Sequence, residues 1–179
     1  MKLLPSDFQI SRYGITVRLV TEADAEFITQ LRSDKRLGRY IHSSDGDVEK
    51  QIQWTKEYKK REAEGLDYYF IFFIDNVPKG LCRIYNIKEN CGTVGSWICK
   101  HNIEENISLL TLIITRDILF DILQLETDFF DVKKENKKVL MCHKLFGSEK
   151  IGEVDDSIMF KLEKSNYIKN RDSLLQFYL

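Results

Sequence analysis

Residues 129–147 constrain the fold more than any other stretch of this chain. Phe129, Phe130 and Val132 favour a strand. Lys133 to Asn136 make a polar turn, and Asn136 is a good N-cap for a following helix. Val139, Leu140, Leu145 and Phe146 recur at helical spacing. Gly147 suits the left-handed position that ends a helix. The stretch therefore reads as strand, short polar turn, amphipathic helix and glycine stop.

The surrounding sequence supplies the sheet for that strand. Residues 15–20 alternate as a first strand, and Asp24 stands near the capping-box position of a helix that starts at Thr21. Ala23, Phe27 and Leu31 follow at helical spacing, with Arg32 closing the helix. A charged loop over 33–47 carries Arg36, Arg39, Tyr40 and His42, and loops of this length are often functional. A second helix is expected over about 47–64, started by Ser44 or Asp45 and stopped at Gly65. Three antiparallel strands come next: 67–74, a return through 77–87 and 93–99. The apolar run 107–125 is broken by Arg116, Asp117 and Asp121, and so reads as a buried helix rather than a membrane span. A last strand is expected near 156–164, and 166–179 is a short helix or a tail. The predicted order is β-α-α-β-β-β-α-β-α-β, an α/β arrangement on a largely antiparallel sheet.

Composition excludes several function classes. The 179 residues carry 43% hydrophobic and 31% charged side chains, which describes one globular domain rather than a disordered chain. The net charge of -1 gives no global field for nucleic acid, so any polyanion site must be local. The first ten residues lack the basic start and apolar run of a signal peptide, so a cytoplasmic protein is expected. Cys82, Cys91, Cys99 and Cys142 have no zinc-ligand spacing and read as reduced thiols; no metal site is expected.

Three local features bear a resemblance to the GNAT acyltransferases. They are the strand ending Gly95-Ser96-Trp97-Ile98-Cys99 before a loop and long helix, the 131–136 turn, and the 139–147 helix with its exit. The resemblance covers about 17–164. It implies a GNAT fold, with a mixed, mostly antiparallel central sheet flanked by helices and two splayed parallel strands at the cofactor site. More narrowly, 31–37, Arg83-Ile84-Tyr85, Gly95-Ser96-Trp97 and Asp131-Val132 are similar to members that acylate nucleotide-linked amino sugars for bacterial surface polysaccharides. The implied reaction is transfer of an acetyl or other short acyl group, a hydroxylated one included, from coenzyme A to an amine by direct attack. Alternatives are a protein or small-amine N-acetyltransferase, and a GNAT-shaped binding module without catalysis. The implied partners are acyl-CoA and a nucleotide-linked amino sugar, with no nucleic acid and no membrane, in a monomer or homodimer.

The resemblance also implies site residues. The first splayed strand, with Trp97, Ile98 and Cys99, would offer backbone groups to pantetheine, and a main-chain N–H near Trp97 or Ile98 would bind the developing oxyanion. His143 stands where the family commonly places a tyrosine acid. It would protonate the departing thiolate or serve as base to the amine through water; otherwise it is a packed helix residue. Asn136 either holds pantetheine or caps its helix. His42 would deprotonate the amine. Arg32, Arg36 and Arg39 would clamp an acceptor diphosphate, with Tyr40 nearby, and Trp54, Tyr85 and Trp97 would stack on a base or sugar. Arg83 faces the acceptor or solvent. One departure stands out: the family's glycine-rich pyrophosphate loop is replaced by 100–108, which has no glycine. Either the pyrophosphate rests on backbone N–H groups with help from Lys100, Asn106, Ile107 or Ser108, or CoA binding has been lost.

Overall fold

A computed structural model describes residues 2–41, 46–101 and 103–178. The chain runs through β1 (Gln9–Arg12), β2 (Ile15–Leu19), α1 (Ala25–Ser33), α2 (Val48–Ala63), β3 (Tyr68–Ile74), β4 (Val77–Lys88), β5 (Cys91–Cys99), α3 (Glu105–Asp117), β6 (Thr127–Lys133), α4 (Lys137–Leu145), β7 (Glu149–Val154), β8 (Ser157–Glu163) and α5 (Lys164–Tyr178). The strands form one sheet in the order β1-β2-β3-β4-β5-β6-β8-β7. Every neighbouring pair is antiparallel except β5 and β6.

Two apolar layers cover the sheet. On one face Val20, Ile28, Leu31, Tyr58, Tyr69, Ile71, Leu81 and Ile98 pack under α1 and α2. On the other, α3 and the turn after it bury Ile113, Ile114, Ile118 and Phe120 against Phe70, Phe72, Ile84 and Val94. β3 lies in the middle of the sheet with both faces covered, which is why its sequence is almost unbroken in aromatic and branched residues.

The predicted elements are present, with differences that have local causes. The structure adds β1, joined to β2 by Tyr13 and Gly14, both at positive φ (55° and 74°), the geometry of a tight hairpin. It also adds β7, which pairs with β8 through a turn at Asp155 (φ 51°). β7 lies at the sheet edge and is exposed along nearly its whole length, so it carries no alternating apolar pattern. The cap of α2 is Asp47, whose carboxylate accepts the Lys50 N–H at 3.1 Å, not the expected Ser44 or Asp45, which lie outside the described residues. Residues 77–88 form one long strand, as the return expected over 77–87, after a turn at Asp75 and Asn76, both at positive φ. The buried helix ends in a wider turn over Ile118–Ile122, and 164–178 is helical. The Thr21 N–H donates to Asp24 at 2.7 Å, as the capping box requires.

The α4 exit bears on the site directly. Asn136 caps the helix through Val139 N–H, and Gly147 follows it at φ +77°. A Cβ at Gly147 would stand 2.6 Å from Asn170 Nδ2 on α5. Gly147→Ala is therefore expected to destabilise the fold by about 1–2 kcal/mol, through left-handed strain and displacement of Asn170. Urea unfolding should show a lower midpoint at unchanged slope.

Candidate active site

Parallel pairing between β5 and β6 begins and almost at once stops. Cys91 pairs with Thr127 and Gly92 with Asp128, and beyond them the strands part. Two features of the chain cause the fork. The first is Asp128, whose side chain accepts the Val94 N–H at 2.9 Å and so occupies a donor that a continued ladder would use. The second is a bulge in β5. Leu81 pairs with Ile98 and Arg83 with Gly95, so β5 holds one residue more than β4 over the same span. Ser96 takes up the excess at φ +51°. A bulge leaves its extra residue outside the ladder, so backbone groups at Ser96 and Trp97 are turned out beside the fork.

The fork opens into a cleft of about 690 Å³. Of the predicted residues, Trp97, Ile98, Cys99, Ser108, Asn136, His143, Arg36, Arg39, Tyr40 and Tyr85 line it. Trp54, Arg32, Arg83, Asn106 and Ile107 do not. Trp54 instead stacks on Tyr58 at 5.5 Å between ring centroids. Arg83 pairs with Asp67 and lies against the rings of Trp54, Tyr69 and Tyr85, so it braces the wall behind Tyr85. Asn106 turns its side chain back to the Ile107 N–H at 2.9 Å. His42 lies outside the described residues. The Trp97 indole donates to Thr111 Oγ1 at 3.0 Å, tying β5 to α3, which leaves the Trp97 backbone rather than the ring as the group offered to a ligand. Burial raises the Cys99 thiol to about 11, so it is no nucleophile near neutral pH.

The α3–α4 side of the fork holds a buried polar chain. Arg116 on α3 is fully buried; its Nε and one terminal nitrogen donate to Asp128 at 3.1 and 3.0 Å. The same terminal nitrogen lies 3.0 Å from His143 Nδ1 on α4. Phe130 stacks on the His143 ring at 4.2 Å, and Arg116 also sits over Phe130 and Phe146. A guanidinium can only donate, so Nδ1 of His143 is the acceptor and the ring proton is on Nε2. Burial, reinforced by the Arg116 charge, holds the His143 pKa well below its ordinary value. His143 is thus a neutral imidazole whose Nε2–H has no protein partner among the described residues, on the wall of the cleft. This revises the roles expected from sequence: an imidazolium acid would face the Arg116 charge, and a base would need the lone pair that Arg116 already occupies. The group on offer is a fixed hydrogen-bond donor.

The opposite side carries the charged loop. Arg36, Arg39 and Tyr40 reach the cleft from the segment between α1 and α2, and Arg39 pairs across the mouth with Glu135 at 3.3 Å. Tyr85 covers Gly95 so closely that a Cβ there would stand 2.8 Å from its hydroxyl oxygen. At the far end Lys138 on α4 holds Glu105, in the first turn of α3, at 2.8 Å. The 100–104 segment enters α3 at Glu104, whose side chain makes no capping bond.

The whole fold that carries this fork recurs in solved proteins. FdhC, described as a nucleotide-linked sugar GNAT, is 35% identical, superposes with a TM-score of 0.86, and the match covers 97% of this chain and 99% of that one. The chain belongs to the GNAT acyltransferase family. Lower-identity GNAT structures share the fold. The ribosomal-protein-S5-alanine acetyltransferase of Vibrio fischeri is 19% identical with a TM-score of 0.78, over 90% of this chain and 99% of that one. The spermidine N-acetyltransferase of Vibrio cholerae, solved with CoA and spermine, is 16% identical with a TM-score of 0.75, over 88% of this chain and 99% of that one. No family model matches the sequence, nor does any curated protein. Among the described residues no helix is long and apolar enough to cross a membrane, and no cluster of His, Cys, Asp and Glu could hold a metal ion.

Two residues of this GNAT site escaped the sequence reading. In the sequence Arg116 stands only as a break in an apolar run; nothing local marks it as the partner of Asp128 and His143, 12 and 27 residues away. Asp131 stands in the sequence only as the first residue of the 131–136 turn. The neutral state of His143 has a consequence for stability. Its folded pKa lies below the unfolded value of about 6.5, so the unfolded chain binds more protons below that pH. The imidazole's contribution is complete above about pH 6.5 and is lost as pH falls toward the folded pKa, by up to about 1.4 kcal/mol per unit. Denaturant unfolding at pH 7.5, 6.5 and 5.5 should show the wild type losing stability faster than His143→Gln below pH 6.5.

Proposed function

We propose that this GNAT chain transfers a short acyl group from a coenzyme A thioester to the amine of a nucleotide-linked amino sugar, by direct attack, within one domain spanning the chain. The observation that carries this reading is a forked cleft with cations at both ends, in a chain 35% identical over nearly its whole length to a nucleotide-linked sugar GNAT.

The cleft meets the demands of an acyl thioester on several counts. Its walls beside the fork are strand edges with unpaired backbone, which suits the amide-bearing pantetheine arm. Lys100 and Lys138 supply charge where a pyrophosphate would lie, and the first-turn N–H groups of α3 lack intrahelical partners by geometry, as at every helix start. These groups stand in for the glycine-rich loop. When bound, the thioester supplies the activated acyl carbon. The remaining work belongs to the chain. Backbone N–H groups at the Ser96–Trp97 bulge face the negative charge that develops on the carbonyl oxygen. The His143 Nε2–H, held by Arg116, stabilises charge arriving on sulfur without itself titrating. Arg36 and Arg39 take the acceptor's diphosphate, and Tyr85 gives its sugar a flat apolar face.

Binding without transfer has one observation in its favour: segment 100–104 has no glycine, and Glu105 holds Lys138 at the start of α3. Calorimetry with CoA, followed by thiol release against a panel of nucleoside diphosphate amino sugars, separates the two. CoA binding with turnover of at least one sugar is expected. Binding without any turnover favours the module, and no CoA binding removes both the enzyme and the cofactor. Given turnover, His143→Phe should lower kcat about 100-fold with KM little changed, the effect of losing one preorganised donor. The wild-type kcat should show no inflection near pH 6.5. Replacing Arg36 and Arg39 together by Ala should raise the KM for the nucleotide sugar about tenfold or more while leaving the CoA affinity alone.

A further inference from the structure

The charges lining the cleft are lopsided. Arg36, Arg39, Lys100, Lys133 and Lys138 line it, and Asp131 is the one carboxylate among its described lining residues. Three of these cations hold acids that do not line the cleft: Arg39 with Glu135, Lys138 with Glu105, and Lys133 with Asp156. The side chain of Asp131 makes no hydrogen bond or ion pair with any described residue, although it shares the cleft with these cations and its charge is felt by Lys133. The sheet explains why. Asp128, Phe130 and Val132 are buried on the α3–α4 face of β6, and Phe129 and Asp131 between them are exposed. By the two-residue period of a strand, Asp131 stands on the face toward Arg36, Arg39 and Tyr85, opposite to His143 and Phe130.

Its position along the strand is equally specific. Continuing the parallel register from Gly92–Asp128 by three residues sets Asp131 across the fork from Gly95, the residue before the Ser96 bulge. Tyr85 lies against Gly95 from the same side, and among charged groups Asp131 is the largest influence raising its pKa, second only to burial. The carboxylate therefore stands beside the oxyanion donors, on the face from which the acceptor arrives. A carboxylate has no use for a diphosphate or a carbonyl oxygen. It suits the one cationic part of the reactants, the ammonium form of the acceptor amine.

We propose that Asp131 is the catalytic carboxylate that seats the acceptor ammonium and takes its proton. This rests on the acyl-transfer reading above. One N–H proton passes from the ammonium to an Asp131 carboxylate oxygen, directly or through one water. The freed nitrogen lone pair forms the C–N bond to the thioester carbon. The C–S bond breaks with its electron pair on sulfur, facing His143. The second nitrogen proton, released as the amide forms, neutralises the thiolate, and Asp131 returns its proton to solvent. Proton transfer and donor support are thereby divided between the two faces of the sheet, with the fork between them.

The test uses the full chain, CoA, acetyl-CoA, and a panel of UDP- and dTDP-linked amino sugars, each matched with its hydroxyl counterpart. In calorimetry at pH 7 with CoA present, the wild type is expected to bind at least one amino sugar about tenfold tighter than its hydroxyl partner, and Asp131→Asn to lose that preference while its CoA affinity stays within twofold. In turnover, Asp131→Asn should lower kcat/KM about 100-fold at pH 7, with the deficit shrinking toward pH 9 as solvent deprotonates the amine. Asp131→Glu should recover part of the rate. A wild type with no amine preference, an Asp131→Asn rate within threefold of wild type at pH 7, or a deficit that does not change with pH overturns the proposal while leaving acyl transfer standing. A wild type that binds CoA and acylates no sugar of the panel overturns the acceptor reading and this role together.

Discussion

One buried carboxylate, beside the Ser96 bulge, marks where the sheet opens. Asp128 sits in β6 one pair beyond the start of the parallel β5–β6 ladder, and its side chain takes the Val94 N–H that the ladder would otherwise recruit. A buried carboxylate must be paired, and Arg116 pairs it. Having spent two of its nitrogens on Asp128, Arg116 is fixed in place and donates onward to His143. One buried ion pair thus shares in opening the sheet, sets the tautomer of the imidazole and ties α3 to α4 through His143. Removing either partner of such a pair leaves an uncompensated charge worth about 3–5 kcal/mol. The same surroundings account for its electrostatics: burial pushes Asp128 above the ordinary carboxylate range, and the Arg116 charge with the Val94 N–H opposes the shift.

Much of this architecture is legible in the amino-acid order, and the remainder is hidden for physical reasons. The 129–147 stretch reads correctly as strand, capped helix and glycine stop because each signal is local: strand formers, Asn136, helical spacing and Gly147. β7 is missed because an exposed edge strand carries no periodic apolar signal. The Ser96 bulge is missed because a positive φ at serine has no composition marker, in contrast to Gly147. The role of His143 is visible only in outline. Its chain position suggests proton chemistry, but burial keeps it neutral and its tautomer is set by Arg116, 27 residues away in sequence. Trp54 and Arg83 were grouped with the acceptor residues by type, and packing places them in an aromatic and ionic brace one layer behind it.

The cleft also shows how little net charge says about a site. The chain as a whole carries -1, yet among the described residues five cations and one carboxylate line its central opening. Balance is reached by distributing acids over exposed surface, where screening by water and salt leaves them little influence on the interior. A substrate with several phosphates therefore meets a local field opposite in sign to the average, and the glycine-free segment before α3 is set within that field.

The last helix ties this centre to the end of the chain. Asp117, next to Arg116 on α3, is almost fully buried and receives the Tyr167 hydroxyl at 2.7 Å, Arg171 at 3.1 Å and, from β1, Arg12 at 2.7 Å. Arg116 and Asp117 are adjacent opposite charges that serve different masters, one the fork and the other β1 and α5. A chain shortened before Tyr167 would strip Asp117 of two of its three side-chain partners, one residue from the guanidinium that sets the imidazole. β1 and α5 therefore act as a lock on the C-terminal end of α3, and trimming them reaches the fork from outside it.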